Sequence, residues 1–321
     1  MKDPRIKFCQ CTRQSKSHPH SRFCELKIQH INQLQKHLMT RFVIALALLG
    51  PFIAQTARAA EMQYPMSAAA GPDGAIYVAD KDAHSVWKIA DGKLEVFFQG
   101  SNKFRTPLNA VWCVAVDAKG RVLAGDSATR EVYRFDAERK PEPLTKGGVG
   151  IPWALAFDGK GDILVCDMEI HQIVRVPDAG GEPVKVADVS GAPRGIAVDA
   201  QDRIWVVDNG GKDQVLRVLP DGTIEKVVEG RPFQMPHNIA LDKDQNAYIC
   251  DNYGETVWKI AAGAKPGDKP QKWITGKPLV KPVGISFTGD HLLIADPHAK
   301  KVFEASLDGK ISPVKFEVPG K

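Results

Sequence analysis

The sequence of 321 residues has little of several features that mark a protein class directly. Aromatic residues make up 7% of the chain, six residues are cysteine, and the apolar run from Phe42 to Ile53 extends over only 12 residues. A membrane-spanning helix needs about 20 apolar residues, which excludes a polytopic membrane protein. Residues 65–317 contain no GxSxG, HExxH, P-loop or GxGxxG motif. Serine hydrolase, zincin and nucleotide chemistry therefore have no support.

A strong charge of either sign is also missing from most of the chain. The formal net charge is +5, but nine basic and only two acidic residues fall within residues 1–41. Without residues 1–59 the chain keeps 33 basic and 36 acidic residues, which is a net charge of −3. Nucleic-acid-binding domains usually have a basic surface. We therefore expect no nucleic-acid partner.

The start of the chain has the pattern of an export signal. Met39-Thr40-Arg41 precedes the apolar run, and small residues follow at Ala57 and Ala59. This pattern predicts a signal peptide over residues 39–59, cleaved after Ala59, and a periplasmic or secreted protein with no stable membrane insertion. An uncleaved anchor is the alternative. Residues 1–38 precede a normal signal start and are predicted to be a mis-assigned or disordered extension.

Three cysteines follow the predicted signal peptide: Cys113, Cys166 and Cys250. Each lies in an apolar, strand-like run, which favours the role of a small buried hydrophobic residue. A disulfide between Cys113 and Cys166 is the alternative in an oxidising compartment. An odd number of cysteines does not describe a disulfide framework.

One pattern occurs six times along the chain. An aspartate follows a short apolar run at intervals of 41 to 46 residues, at Asp80, Asp126, Asp167, Asp208, Asp251 and Asp296. Each repeat holds about four short strand segments separated by Gly, Asp and Pro, which is typical of all-β proteins. A single unit of this size cannot bury both of its faces, so six units are expected to pack radially. The sequence predicts one all-β domain over residues 60–321, a six-bladed β-propeller, and a monomer.

The repeat also resembles a known family. Its form is P-x-G-[IVL]-A-[VLF]-D, then an apolar run ending in Asp, with a histidine four residues later at His84 and His171. This form resembles the NHL repeat, and the architecture that it implies is related to the SMP-30/gluconolactonase group. For that group the resemblance implies a divalent metal, held by carboxylates and Asn, that polarises a lactone. For the NHL-type amidating lyase it implies a zinc site with Arg and Tyr near the substrate.

The candidate site is the part of the repeat that varies. The residue after the proline position is expected at the channel mouth in every blade: Met66, Trp112, Trp153, Arg194, His237 and Val283. The next position adds Asn238, and an adjoining loop adds Tyr253. Flat apolar walls with polar donors suit a small planar or anionic ligand. The alternative is that Trp112 and Trp153 fill the channel as core residues.

The aspartates shared by all repeats are expected to be structural, because a group present in every blade does not mark a single site. We predict no cofactor and leave catalytic residues unassigned. If calcium or zinc were bound, its ligands would be Asp208, His237, Asn238 and Asp251. The favoured hypothesis is a propeller, not an enzyme, that binds a small molecule, glycan or peptide. The alternatives are a metal-dependent lactonase or related hydrolase and a zinc-dependent lyase.

Overall fold

The computed structural model describes residues 61–318, and these residues form β-strands joined by turns and loops. The predicted extension and signal peptide lie outside the described residues. The first twelve strands are β1 (Pro65–Ala70), β2 (Ile76–Asp80), β3 (Ser85–Ala90), β4 (Lys93–Gln99), β5 (Val111–Val116), β6 (Val122–Asp126), β7 (Glu131–Phe135), β8 (Pro141–Pro143), β9 (Pro152–Phe157), β10 (Ile163–Asp167), β11 (Gln172–Val176) and β12 (Val184–Asp188). The remaining strands are β13 (Pro193–Val198), β14 (Ile204–Asp208), β15 (Val215–Val218), β16 (Ile224–Val228), β17 (Pro236–Leu241), β18 (Ala247–Asp251), β19 (Thr256–Ile260), β20 (Gln271–Thr275), β21 (Gly284–Thr288), β22 (His291–Asp296), β23 (Lys301–Ser306) and β24 (Ile311–Pro313). In the described part, no helix is long and apolar enough to span a bilayer.

The strands form six sheets, each built from four consecutive antiparallel strands. The first strand of every sheet packs against the first strands of the two neighbouring sheets, and β21 packs against β1 to complete the circle. This arrangement confirms the predicted six-bladed β-propeller. The side on which each first strand begins and each second strand ends is called the upper face below.

The core lies between the blades. The second strands β6, β10, β14 and β18 are buried along their whole length, because both faces of each blade are covered by neighbouring blades. Cys166 on β10, for example, packs in one cluster with Ile196 and Val206 of the next blade. Burial on both faces explains why these strands are continuously apolar and do not alternate with polar residues.

The strand-end aspartates hold the upper loops in place. In blades 1, 2, 3, 5 and 6 the carboxylate accepts backbone N–H groups from the loop that leads into the first strand of its own blade. Asp251 is representative, since it accepts from the backbone N of Gln234 at 3.0 Å and of Met235 at 2.7 Å. Asp208 of blade 4 differs, because it accepts from Gly210 and Gly211 in the loop that follows it.

The three cysteines of the described part are buried free thiols, so the alternative of a Cys113–Cys166 disulfide is wrong for this structure. Burial raises the pKa of the Cys113 thiol to about 12. The Cys113 thiol donates to the carbonyl of Pro152 in the next blade at 3.3 Å. These residues act as small interior side chains.

The end of the chain packs on the first blade. Glu317 forms a parallel bridge with Lys93, and its backbone N donates to the carbonyl of Gly92 at 2.7 Å. Val314, Phe316 and Val318 pack against the apolar cluster that contains residues of blades 1 and 6. The C-terminal segment therefore connects the last blade to the first.

Candidate functional site

Five of the six predicted channel residues are positioned by irregularities in the innermost strands, and the sixth, Val283, directly precedes β21. In blade 4, Pro193 pairs with Asp208 and Gly195 pairs with Val207, so Arg194 is an extra residue without a partner. The same shift in register leaves Met66, Trp112 and Trp153 unpaired, and in blade 5 it includes His237 and Asn238. Such β-bulges redirect side chains and are common next to functional sites. The six residues at this position are called the mouth ring: Met66, Trp112, Trp153, Arg194, His237 and Val283.

The aromatic members of the mouth ring form a packed floor. The indoles of Trp112 and Trp153 stack with a centroid distance of 4.3 Å and an interplanar angle of 24°. Trp153 is only 9% exposed and packs with Met66 and Val283, while Trp112 is partly buried. The two tryptophans therefore fill the upper end of the channel, which is what the core alternative describes. The stacked faces cover each other, so the pair presents its ring edges beside polar groups.

Arg194 and His237 form the polar part of the ring. The Arg194 guanidinium lies 4.8 Å from the Trp153 ring centre, and its Nη1 is 2.8 Å from Nε2 of His237. A guanidinium can only donate, so Nε2 of His237 accepts and the ring proton resides on Nδ1. Burial, and to a smaller extent the charge of Arg194, lower the pKa of His237 to about 3. His237 is therefore neutral at physiological pH.

Two buried donors of this pair have no partner. Nε of Arg194 and Nδ1 of His237 are buried, and neither hydrogen-bonds to any group of the described residues. No carboxylate in residues 61–318 lies within ion-pair distance of Arg194. Burial lowers the pKa of Arg194, because a charged guanidinium loses hydration there. The site thus combines an uncompensated positive charge with N–H groups that lack an acceptor.

A second group of side chains lies on the rim, in blades 1 and 6. The hydroxyl of Tyr64 is 3.3 Å from Nε2 of His298, and burial raises the pKa of Tyr64. Nζ of Lys81 lies 5.3 Å from the ring centre of Tyr64 and 5.7 Å from that of Trp112. Neither Tyr64 nor Lys81 was predicted from the sequence. Only their positions in the repeat could have indicated them. Tyr64 directly precedes the first strand, and Lys81 directly follows the strand-end Asp80.

The other two predicted ligand-binding residues are not part of the packed ring. Tyr253 is 58% exposed, and Nζ of Lys281 lies 5.2 Å from its ring centre. Asn238 lines a cavity of about 240 Å³ in the channel below the ring, together with Ser67 and Cys113. Its Oδ1 accepts from the backbone N of Ile239 at 2.8 Å.

The residues named for a metal site do not come together as ligands. Residues 61–318 contain no group of three or more His, Cys, Asp or Glu side chains arranged to hold an ion. Both carboxylate oxygens of Asp251 accept backbone N–H groups, and Nε2 of His237 accepts from Arg194. Oδ2 of Asp208 and Oδ1 of Asn209 are buried without partners. Two oxygens are too few for calcium, and zinc needs three or four protein ligands. The donor set does not fit either resident ion.

Comparison with known proteins gives a family match and a set of similar folds. A model of the "SMP-30/Gluconolactonase/LRE-like region" family matches residues 51–251. No curated protein matches the chain. A gluconolactonase from Xanthomonas campestris has a TM-score of 0.64 and 15% identity over 79% of this chain and 87% of its own. Virginiamycin B lyase from Staphylococcus aureus has a TM-score of 0.60 and 17% identity over 80% of this chain and 85% of its own. At these identities the likeness concerns the fold alone.

Proposed function

Because this chain belongs to the SMP-30/gluconolactonase/LRE-like family, we propose that it uses the mouth of its propeller to bind a small molecule that carries a carboxylate on a flat ring. One observation carries this proposal: Arg194 lies beside two stacked indoles with no carboxylate to neutralise it. A buried guanidinium without a counter-ion is costly, and an anionic ligand removes that cost.

The geometry of Arg194 supports a carboxylate in particular. Nη1 is occupied by His237, whereas Nε and Nη2 form no hydrogen bond within the described residues. Nε is buried in this conformation, so an incoming carboxylate meets Nη2 and accepts a charge-assisted hydrogen bond from it. The flat body of the ligand would then lie against the edges of the stacked Trp112 and Trp153 indoles, where an aromatic ring gains edge-to-face contacts.

The test is calorimetric titration of the purified protein with 2-naphthoate and with its neutral analogue 2-naphthamide. We expect 2-naphthoate to bind and the amide to bind at least about tenfold more weakly, because hydrogen bonds between charged groups contribute about 1.5 to 3 kcal/mol. The variant Arg194→Gln should lose this discrimination. Equal binding of acid and amide, or an unaffected Arg194→Gln variant, would contradict the proposal.

Blade 4 supplies a matched control for this titration. Arg217 lies 5.4 Å from the ring centre of Trp205, so it has a similar arginine-on-indole geometry. It differs in being paired with Glu225 at 2.7 Å and in lying on the third strand of the blade, away from the channel. Arg217→Gln should bind 2-naphthoate as the wild-type protein does.

Family membership favours a second candidate function, the hydrolysis of a lactone. Nη2 of Arg194 would bind the carboxylate that forms when a lactone ring opens. The donor set fits no resident metal ion, so no step is assigned to one. Hydrolysis of gluconolactone, followed with a pH-stat with and without added divalent ions, separates the two candidates. A rate above background that is lost in Arg194→Gln would support the hydrolase, and a background rate would remove it.

We also propose that the protein acts in the periplasm or outside the cell, on the basis of the signal-like residues 39–59. We propose separately that the propeller is a monomer. Expression of the full chain with a C-terminal tag tests the location. The expected product starts at Ala60 and fractionates with the periplasm or the medium. A product that keeps residues 39–59 and sediments with membranes would instead support an uncleaved anchor.

A further inference from the structure

The polar and aromatic groups of the mouth form one continuous row across half of the ring. Arg194 of blade 4 lies 4.8 Å from the ring centre of Trp153, and the stacked indoles of Trp153 and Trp112 are 4.3 Å apart. Lys81 of blade 1 lies 5.7 Å from the ring centre of Trp112. Blades 1 and 4 face each other in a six-membered ring. The row therefore has a cation at each end and two indoles between them.

The charge of Lys81 is available to a ligand. Its carboxylate partner in the structure is the neighbouring Asp82, at 2.8 Å, and the Asp82 side chain is 54% exposed. An ion pair between exposed groups contributes only about 0 to 1 kcal/mol, so a second anion competes easily with Asp82. The Lys81 ammonium also lies over Tyr64, which keeps it at the rim next to the indoles.

Resting on the function proposed above, we propose that the natural ligand is an elongated, flat dicarboxylate that lies along this row. One carboxylate pairs with Nη2 of Arg194, and the other pairs with Lys81. The body between them packs against the edges of Trp153 and Trp112. In the other half of the mouth ring His237 is neutral and Val283 is apolar, so neither of these ring residues carries a positive charge.

Lys281 is another cation near the mouth, and it is a competitor of Lys81 that can be tested. Lys281 lies 5.2 Å from the ring centre of Tyr253, a cation–aromatic distance close to that between Lys81 and Tyr64. Lys281 contacts neither of the stacked indoles in this way. Substitution of Lys281 is therefore a matched control for substitution of Lys81.

The experiment compares naphthalene-2,6-dicarboxylate with 2-naphthoate by calorimetric titration of the wild-type protein, Lys81→Gln and Lys281→Gln. We expect the wild-type protein to bind the dicarboxylate about tenfold more tightly than the monocarboxylate, since a second charge-assisted contact is added. This ratio should fall to about one in Lys81→Gln and persist in Lys281→Gln. Melting temperatures of the three proteins verify that they are folded.

The outcomes separate this inference from the proposed function. Binding of 2-naphthoate with a wild-type ratio of one overturns the dicarboxylate and leaves the proposed function standing. A ratio that survives in Lys81→Gln, or that disappears in Lys281→Gln, also overturns the inference, because the second carboxylate then lies elsewhere. Failure of the wild-type protein to bind either probe overturns both proposals.

Discussion

His237 is the residue whose chemistry is most altered by its position. Burial and the neighbouring Arg194 hold its pKa at about 3 in the folded protein, whereas a histidine in an unfolded chain has a pKa of about 6.5. Below pH 6.5 the His237 side chain therefore binds a proton in the unfolded chain but not in the folded protein. The free energy of unfolding should decrease as pH falls from 6.5 towards 3, by up to about 1.4 kcal/mol per pH unit from this group.

Urea unfolding at pH 7, 6, 5 and 4 measures this dependence. Glutamine has no titrating group, so His237→Gln should have a smaller slope of stability against pH than the wild-type protein. The control is His291→Gln, at a more exposed side chain whose Nδ1 lies 2.7 Å from Oδ1 of Asp290. An identical slope in wild type and His237→Gln would show that His237 titrates normally in the folded protein.

The strand-end aspartates look equivalent in sequence but differ in their hydrogen bonds. Oδ2 of Asp251 accepts from Gln234 N and from Nε1 of Trp258, while Oδ2 of Asp208 has no partner. An asparagine NH₂ at either carboxylate oxygen of Asp251 would face N–H groups. We expect Asp251→Asn to lower the free energy of unfolding by about 2 to 4 kcal/mol and Asp208→Asn by less than about 1 kcal/mol. Equal losses in thermal or urea unfolding would contradict the assigned difference.

At the scale of the element, the bulged first strands explain which parts of the site were predictable. The proline position and the residue after it are recognisable in the sequence, so the members of the mouth ring were predicted by number. The contacts between them were not, because the shift in register that isolates Arg194 depends on pairing with β14. The place of Asn238, in the ring or in the channel, also depends on strand pairing, because the bulge in β17 is wider than in the other first strands.

In blades 4 and 6 the first strand approaches the neighbouring first strand closely because glycine follows the mouth-ring residue, at Gly195 and Gly284. A Cβ added to Gly284 of blade 6 would lie 2.5 Å from the carbonyl oxygen of Met66 and 2.9 Å from Cα of Ser67 in blade 1. Backbone atoms cannot move aside without separating the blades. We expect Gly284→Ala to destabilise the protein by about 1 to 3 kcal/mol, the usual cost of overpacking.

The control for this substitution is Gly159→Ala. A Cβ at Gly159 would meet its nearest atom, in the Asp202 carboxylate, at 3.6 Å, which is an ordinary contact. The free energy of unfolding of this variant should stay within about 0.5 kcal/mol of the wild-type value. If both variants unfold at the wild-type temperature, the first strands of blades 6 and 1 are not in the described contact.

At the scale of the whole molecule, the repeat pattern was sufficient to predict the ring but not how it closes. Each blade consists of consecutive strands, so no strand is exchanged between the first and last blades. The contact of β1 with β21 and the C-terminal segment on blade 1 join the two ends instead. The C-terminal segment follows the last repeat and has no counterpart in the others, which is why the pattern did not reveal it.

Closure leads to a prediction about the end of the chain. Phe316 is partly buried against the cluster shared by blades 1 and 6. Phe316→Ala should reduce the free energy of unfolding by about 1 to 3 kcal/mol, because it removes a partly buried aromatic ring. Val184→Ala, at a side chain that is 63% exposed on an outer strand, should have almost no effect. Equal unfolding midpoints for the two variants would contradict a closing role for the C-terminal segment.

The central claim is that the mouth ring binds a carboxylate through Arg194, and the most direct test is a crystal structure of the protein with 2-naphthoate. We expect the carboxylate within hydrogen-bond distance of Nη2 of Arg194, with the naphthalene ring against Trp112 and Trp153. Two results would contradict the claim: no 2-naphthoate bound at Arg194, or 2-naphthoate bound elsewhere on the protein.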